Sequence, residues 1–321
     1  MKIELAAAFI AAAIAVPFTG TVHAKDVLPE SGPLSAHTMQ RLLLVDAARV
    51  GTRVVAVGDR GYIVTSDDQG ATWNRAKAPS GPLLTATTFV DAKQGWAVGH
   101  DSIILSTTDG GDNWTRQFSA VSEQRPLLAV LFLDARRGFA IGAYGAFYET
   151  TNGGAAWTGR KVTNEDKHLN AIVNAGKGRL VIVGEAGTIL RSVDSGATWT
   201  AVPAPYKGSF FGVVMAGDGS LVTFGLRGRI YRSTDAGATW SQVASVSEAA
   251  LFNGTVLADG ALVLSGGAGT VLQSRDNGQS FTAIPSGRRG LVSKALATTP
   301  GSLLLLGEGG VRQVSTSAPA R

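Results

Sequence analysis

An eight-residue segment that begins with Ser or Thr and ends with an aromatic residue occurs six times along this chain, and its spacing limits the possible folds. Its third residue is Asp or Asn and its fifth is Gly. The copies are SDDQGATW (66–73), TTDGGDNW (107–114), TTNGGAAW (150–157), SVDSGATW (192–199), STDAGATW (233–240) and SRDNGQSF (274–281). Their aromatic residues are 41, 43, 42, 41 and 41 residues apart. A period this regular predicts a tandem array of one supersecondary unit.

Each copy has the composition of a tight turn between two strands. The Asp or Asn side chain can accept hydrogen bonds from backbone amides ahead of it, and the Gly takes a φ that other residues disfavour. The closing aromatic residue is large enough to anchor the turn on its own sheet. We therefore expect a structural role for Asp68, Trp73, Asp109, Trp114, Asn152, Trp157, Asp194, Trp199, Asp235, Trp240, Asp276 and Phe281.

A second pattern precedes each turn by about ten residues: an apolar strand, then Gly-x-x-Gly, then another strand, which is typical of a hairpin. Ser102 replaces the second Gly in one copy. The pattern occurs at 54–64, 95–105, 138–148, 180–190, 221–231, 262–272 and 303–313. A further strand before each hairpin makes four strands per period of ~41 residues, the size of one propeller blade. The sequence thus predicts an all-β, seven-bladed β-propeller of four-stranded antiparallel blades.

The seventh blade, from about Leu291 to Val314, has no aromatic turn and no fourth strand of its own. An open edge of this kind is commonly closed by a strand from the other terminus. Residues around 26–34 are predicted to supply it, since prolines such as Pro29 and Pro33 are tolerated in an outermost strand. Residues 25–314 are then one domain, followed by a flexible tail at 315–321.

The turn resembles the Asp-box (BNR-type) repeat of sialidases, sortilin-type receptors and the photosystem II stability/assembly factor family. The last family also joins G-x-A-V-G-x-x-G-x-I to the Asp box, and the resemblance covers roughly residues 40–314. It implies a photosystem II assembly role. That family places an Arg before the box in several repeats, within a basic patch associated with partner binding. Arg191 and Arg232 occupy that position here.

The N-terminal residues are typical of a signal peptide, with Met1-Lys2, an apolar run from Leu5 to Phe18, and Val22-His23-Ala24 at the predicted cleavage site. We expect an exported monomer, periplasmic or, in a photosynthetic host, lumenal. No apolar run after the leader is long enough to span a bilayer. The chain has no cysteine and a net charge of +5, and its scattered basic residues do not favour nucleic-acid binding.

Alternate loops of a blade share one face of a propeller because each strand reverses the chain. The hairpin tips and the crossovers to the next blade therefore lie together, opposite the Asp boxes. Since the tips differ while the frame repeats, we expect recognition there of a membrane-associated protein partner, through Arg60, Tyr144, Arg227 and Arg229. The alternative is that these four residues are ordinary solvated surface side chains. Likewise, Arg191 and Arg232 would only cover neighbouring strand residues with their aliphatic stems.

A sialidase-like glycoside hydrolase or a glycan-binding propeller is the alternative function. The resemblance to sialidases implies that such a site would need three converging arginines, a Tyr paired with a Glu, and an Asp. The only Arg-Pro pair is Arg125-Pro126, and Tyr62, Tyr148 and Tyr231 fall in or beside repeat strands, as packing residues do. Scattered histidines and isolated Asp-box carboxylates predict no metal site. We expect no catalysis and no cofactor.

Overall fold

Seven antiparallel β-sheets form a ring in the computed structural model, which describes residues 31–79 and 81–316. Five sheets have four strands, one has five and one has three, which confirms the predicted seven-bladed propeller. The predicted leader at 1–24 lies outside the described residues. No helix in the described ranges has the length and apolarity needed to cross a membrane.

The first three blades each begin with their innermost strand and end at the rim. Blade 1 contains β2 (Leu44–Val50), β3 (Arg53–Gly58), β4 (Ile63–Ser66) and β5 (Trp73–Arg75), preceded by β1 (Gly32–Leu34) and helix α1 (Ala36–Met39). Blade 2 contains β6 (Leu84–Phe89), β7 (Gly95–Gly99), β8 (Ile104–Thr107) and β9 (Thr115–Phe118). Blade 3 contains β10 (Leu127–Phe132), β11 (Gly138–Gly142), β12 (Phe147–Thr150) and β13 (Thr158–Gly159).

The remaining blades repeat this order. Blade 4 contains β14 (Leu169–Asn174), β15 (Leu180–Gly184), β16 (Ile189–Ser192) and β17 (Thr200–Ala201). Blade 5 contains β18 (Phe210–Met215), β19 (Leu221–Gly225), β20 (Ile230–Ser233) and β21 (Ser241–Val243). Blade 6 contains β22 (Leu251–Val256), β23 (Leu262–Gly266), β24 (Val271–Ser274) and β25 (Thr282–Ala283). Blade 7 contains β26 (Val292–Ala297), β27 (Ser302–Gly307) and β28 (Gly310–Ser315).

The hydrophobic core lies between neighbouring blades. Each innermost strand contacts that of the next blade, and β2 contacts β26, which completes the ring. Second strands such as β15 and β19 are buried along their whole length. A strand covered on both faces needs apolar side chains at consecutive positions, which explains the runs LVIVG and LVLSG that identify the hairpins in the sequence.

Ring closure differs from the prediction that residues around 26–34 complete blade 7. Gly32–Leu34 instead pair with β5 at the outer edge of blade 1, where Leu34 packs against the cluster containing Trp73. The rest of the predicted segment, 26–30, lies outside the described residues. Within 31–79 and 81–316, no strand pairs with the outer edge of β28.

Side chains rather than strand pairing close the ring between blades 7 and 1. Leu304 and Leu306 of β27 join Leu44 in one buried cluster. On the innermost strands β26 and β2, the Lys294 ammonium lies 3.2 Å from an Asp46 carboxylate oxygen. Both side chains are largely buried, with exposed fractions of 15% and 11%. The Asp46 carboxylate also accepts a hydrogen bond from the Thr87 amide of blade 2.

Every innermost strand carries a β-bulge one residue after its start. In blade 5, for example, Phe210 pairs with Gly225 and Gly212 with Phe224, so that Phe211 has no direct partner. The seven bulge residues are Val45, Thr85, Leu128, Asn170, Phe211, Phe252 and Ser293. Each lies at the end of its strand next to the blade's hairpin tip, because its preceding neighbour pairs with the Gly that opens the hairpin.

Candidate partner-binding face

The hairpin tips of blades 1 to 6 are single 3₁₀ turns whose middle residue has a left-handed backbone. These middle residues are Arg60, Asp101, Tyr144, Ala186, Arg227 and Ala268, with φ between 50° and 57°. A left-handed conformation costs a non-glycine residue roughly 1–2 kcal/mol. The surrounding blade therefore imposes it, and with it a fixed direction for each tip side chain.

Two hairpins depart from the common form. Ser102 stands where the other tips of this form end in Gly, and its φ of 50° carries the same left-handed strain. Its side chain is buried and the Oγ donates to the Arg125 carbonyl at 2.7 Å, which ties the tip to the next crossover. In blade 7, Gly307 pairs directly with Gly310, so the tip contains two residues and no 3₁₀ turn.

The four residues predicted to form the recognition face lie on these tips or beside them and are exposed. The Arg60 side chain is 80% exposed and its Nε lies 3.8 Å from the Asp59 carboxylate. Burial raises the pKa of Asp59. Tyr144 is 49% exposed, and its ring meets that of His168 edge-on with centroids 4.9 Å apart. Arg227 and Arg229 are also exposed.

The crossovers lie against the tips, which confirms that the two sets of loops share a face. The Gly145 amide donates to the Lys167 carbonyl at 2.9 Å, and the Gly269 amide to the Gly290 carbonyl at 2.7 Å. We call this surface the hairpin face. Its crossovers add positive charge, and burial together with the neighbouring Arg312 lowers the pKa of Arg288.

The Asp boxes occupy the opposite face, and blade 4 shows their geometry. The Ser192 hydroxyl donates to Asp194 Oδ1 at 2.8 Å and accepts from the Gly196 amide at 2.8 Å. The Thr198 hydroxyl donates to Asp194 Oδ2 at 2.5 Å, and its amide donates to Oδ1 at 2.9 Å. These Thr198 hydrogen bonds lower the pKa of the carboxyl to about 2. Asp68, Asp235 and Asp276 also have pKa values of about 2.

The box of blade 3 shows why its Asn is tolerated. Asn152 Oδ1 accepts from the Thr150 hydroxyl at 2.9 Å and from the Ala156 amide at 2.9 Å, as the Asp does elsewhere. Every box with Asp has Thr, Asn or Ser at the seventh position, and that side chain donates to the second carboxylate oxygen. In blade 3 the seventh residue is Ala156, which has no side-chain donor. The NH₂ group of Asn152, which replaces the second carboxylate oxygen, therefore does not face another donor at this position.

The aromatic residues anchor the boxes to different extents. Trp73, Trp114 and Phe281 are each 4% exposed, whereas Trp157, Trp199 and Trp240 are only partly buried. The Trp114 indole N–H donates to the carbonyl of its own box glycine, Gly111, at 2.9 Å. The indole N–H groups of Trp157 and Trp199 have no hydrogen-bond partner in the described part of the chain.

Each Asp box also accepts a hydrogen bond from a side chain of the preceding blade, a contact the sequence does not reveal. The donor and acceptor residues are Gln313 to Gln69, Arg53 to Gly110, Gln117 to Gly153, Arg160 to Gly196, Arg191 to Ala236 and Arg232 to Asn277. The acceptor is a backbone carbonyl in every case. We call this set the blade clamps. The first of them joins blade 7 to blade 1. The clamps thus join six of the seven pairs of neighbouring blades, and none of them joins blade 6 to blade 7, because blade 7 has no Asp box.

Arg191 and Arg232 therefore lie on the Asp-box face, away from Arg60, Tyr144, Arg227 and Arg229. Arg191 Nε donates to the Ala236 carbonyl at 2.9 Å. Arg232 Nε donates to the Asn277 carbonyl at 2.8 Å, and its terminal nitrogen lies 2.6 Å from the Asp218 carboxylate. The position before an Asp box is the next-to-last residue of the third strand, close to this face, so its side chain can reach the next blade. Partner binding by these two arginines stays a prediction.

Tyr148 and Glu123 form a Tyr–Glu pair, one of the elements that a sialidase-like site would need. The Tyr148 hydroxyl donates to Glu123 Oε2 at 2.7 Å. Burial and the neighbouring carboxylate raise the pKa of Tyr148 to about 12, whereas a nucleophilic phenol requires activation in the opposite direction. Across residues 31–79 and 81–316, no three His, Cys, Asp or Glu side chains come close enough to bind a metal ion.

A model of the family "Photosynthesis system II assembly factor YCF48" matches residues 36–126 and 117–261, more than half of the chain. The chain belongs to this family. A segment of 84 residues is 32% identical to the photosystem II stability/assembly factor HCF136 of Arabidopsis thaliana, and the match spans 23% of this chain and 21% of that relative.

Solved structures of the YCF48 family share the fold over nearly the whole chain. YCF48 bound to D1 peptide superimposes with a TM-score of 0.70 at 20% identity, over 90% of this chain and 95% of that one. YCF48 from Cyanidioschyzon merolae gives 0.67 at 18% identity, over 88% and 96%. A GH74 xyloglucanase from Xanthomonas campestris also reaches 0.69, at 14% identity over 88% and 53%. Likeness at these identities concerns the fold alone.

Proposed function

We propose that this chain is an exported, monomeric assembly factor that captures a polypeptide segment of a membrane-associated complex on its hairpin face, without catalysing a reaction. Membership of the YCF48 family supports an assembly role. The solved YCF48 structure with D1 peptide supports a polypeptide as the class of partner. The predicted signal peptide at 1–24 supports export.

The observation that carries the proposal is the different use of side chains on the two faces. On the Asp-box face, Arg191 and Arg232 are bound to carbonyls of the next blade. On the hairpin face, Arg60 and Tyr144 are 80% and 49% exposed and stand on backbone turns of fixed geometry. A backbone turn that is already fixed loses little freedom when a partner arrives, so the cost of ordering is confined to the side chains.

The chemistry of the face indicates what kind of segment it would hold. Arg60, Arg227 and Arg229 can each pair with a carboxylate, and Tyr144 offers a flat apolar surface with a polar end. An extended segment carrying acidic and apolar side chains satisfies both requirements. Such recognition forms and breaks no covalent bond, so affinity and orientation are all that the site must provide.

Isothermal titration of the purified protein with D1 peptide tests the proposal. The double charge reversal Arg60→Glu and Arg227→Glu should abolish the binding seen with the unaltered protein, because two attractive contacts become repulsive. The matched control is Arg275→Glu, since that side chain is 63% exposed but lies in an Asp box on the other face. Equal binding by the double variant would refute the assignment of the face.

The alternative function, a sialidase-like hydrolase or glycan-binding propeller, is supported by the fold shared with the GH74 enzyme and by the Tyr148–Glu123 contact. A fluorogenic sialoside assay and a xyloglucan hydrolysis assay with the purified protein decide it. Turnover that is lost in Tyr148→Phe would overturn the non-catalytic assignment.

A further inference from the structure

Three of the seven bulge residues bind the neighbouring blade through polar side chains. Thr85 Oγ1 donates to the Leu127 carbonyl at 2.6 Å, and Ser293 Oγ donates to the Leu44 carbonyl at 2.6 Å. Asn170 Nδ2 donates to the Phe210 carbonyl at 2.8 Å. In each case the acceptor begins the innermost strand of the next blade. A polar bulge residue thus links the innermost strands of two neighbouring blades at the end nearest the hairpin face.

Blades 5 and 6 place aromatic rings at this position. Phe211 and Phe252 cannot donate such a hydrogen bond, and their rings contact each other with centroids 5.2 Å apart and an interplanar angle of 36°. Both side chains are only partly buried. Val45 and Leu128 also lack a polar group, but each has polar bulge residues in both neighbouring blades. Phe211 and Phe252 therefore form the one apolar pair among adjacent bulge residues.

The pair lies at the end of the inner strands that meets the hairpin tips. Phe252 is next to the small tip of blade 6, where a Cβ added to Gly267 would lie 3.8 Å from its ring. The middle residue of that tip is Ala268, so no large side chain rises from it. The tip of blade 5 instead carries the exposed Arg227, with Arg229 just after it. The strand that carries Phe252 contacts this tip, so apolar surface and positive charge lie at the same end of blades 5 and 6. Neither arginine has an ion-pair partner within residues 31–79 and 81–316.

Polar and apolar bulge residues alternate from blade 7 through blades 1 to 5. Because the ring has seven blades, the alternation must break once, and it breaks here with two aromatic rings, a local choice of the kind expected at functional positions. Packing alone does not require the rings, because Thr85 and Asn170 fill the equivalent positions in their blades. The positive charge beside the rings favours an acidic partner segment over a neutral or basic one.

We propose that Phe211 and Phe252 form a subsite that receives a bulky apolar side chain of the captured polypeptide, while Arg227 or Arg229 pairs with a carboxylate close to that side chain. This inference rests on the proposed function and adds its specificity. Aromatic rings at the centre of a contact, with charges around them, are the arrangement that dominates binding energy in protein interfaces.

The test exchanges residues between blades of the same chain. Phe211→Asn copies blade 4 and Phe252→Thr copies blade 2, and both introduce a group able to make the missing hydrogen bond. Titration with D1 peptide should show binding weakened about tenfold or more in the double variant. Its melting temperature should stay close to that of the unaltered protein. The control, Val45→Thr, makes the same kind of exchange away from the pair and should leave binding unchanged.

Peptide variants complete the experiment. One D1 peptide with a single bulky apolar residue replaced by Ser should bind the unaltered protein as weakly as the double variant binds the parent peptide, and the two losses should not add. Unchanged affinity in the double variant would overturn the aromatic subsite and leave the proposed function standing. No binding by the unaltered protein would overturn both. A lowered melting temperature without coupling to any peptide substitution would assign the rings to the core and overturn the subsite.

Discussion

Replacing Arg232 by Ala tests whether the blade clamps hold neighbouring blades together. Arg232 Nε donates to the Asn277 carbonyl at 2.8 Å, and the side chain, 16% exposed, is paired with Asp218 at 2.6 Å. A hydrogen bond from a charged group contributes about 1.5–3 kcal/mol. The ion pair adds up to about 1 kcal/mol, because Asp218 is 38% exposed. The free energy of unfolding should therefore fall by about 1.5–4 kcal/mol.

Urea denaturation followed by tryptophan fluorescence measures this change. Arg229→Ala is the matched control, since that side chain is exposed and its loss should change the free energy of unfolding by less than about 0.5 kcal/mol. Arg232→Lys should lie between the two, because Lys keeps the positive charge but lacks the Nε donor. An Arg232→Ala variant as stable as the control would refute the clamp. If Arg232→Ala is as stable as the control but binds D1 peptide more weakly, the result would instead favour the partner-binding role predicted from the sequence.

Three further predictions concern the frame. Trp199→Ala should lower the free energy of unfolding by about 3 kcal/mol in urea, the low end for a large aromatic residue, because Trp199 is only partly buried. Stability should fall as pH drops from about 4 to 2, because Asp194 and three other box carboxyls have folded pKa values of about 2, below the ordinary 3.8. Acid titration followed by circular dichroism checks this, and a stability that does not change with pH over this range would contradict it. Lys294→Met should cost about 3 kcal/mol in urea by leaving the buried Asp46 without its cation, and a neutral result would show that the ion pair does not stabilise the ring.

Much of the fold can be predicted because its signals lie within one blade. The Asp box, the hairpin and the strands occur in a fixed order within about 41 residues, so spacing alone defines the unit and its number. The sharing of one face by Arg60, Tyr144 and Arg227 follows from the same alternation of strands. The two-residue tip of blade 7 agrees with the Gly-x-x-Gly pattern, whereas the 3₁₀ turns of the other six tips were not predicted, since the same pattern fits both forms.

Contacts between blades could not be predicted. The blade clamps join residues 36 to 57 positions apart, or 244 across the closure, and their donors come from different strands. Arg191 and Arg232 share one motif position, but Arg53 opens a second strand and Gln117 belongs to a fourth, so no single column of the repeat identifies them. For the same reason, the contact between Phe211 and Phe252 could not be predicted, because it depends on how the innermost strands of neighbouring blades pack. It also led to the wrong partner for Gly32–Leu34.

Hydrogen exchange with mass spectrometry, with and without D1 peptide, tests most directly whether the hairpin face is the working surface. Protection on peptide addition should appear in segments containing the tips at 59–61, 143–145 and 226–228. The Asp-box segments at 66–73 and 233–240 should exchange at the same rate in both samples. Protection confined to the Asp boxes, with no change at the tips, would contradict the account.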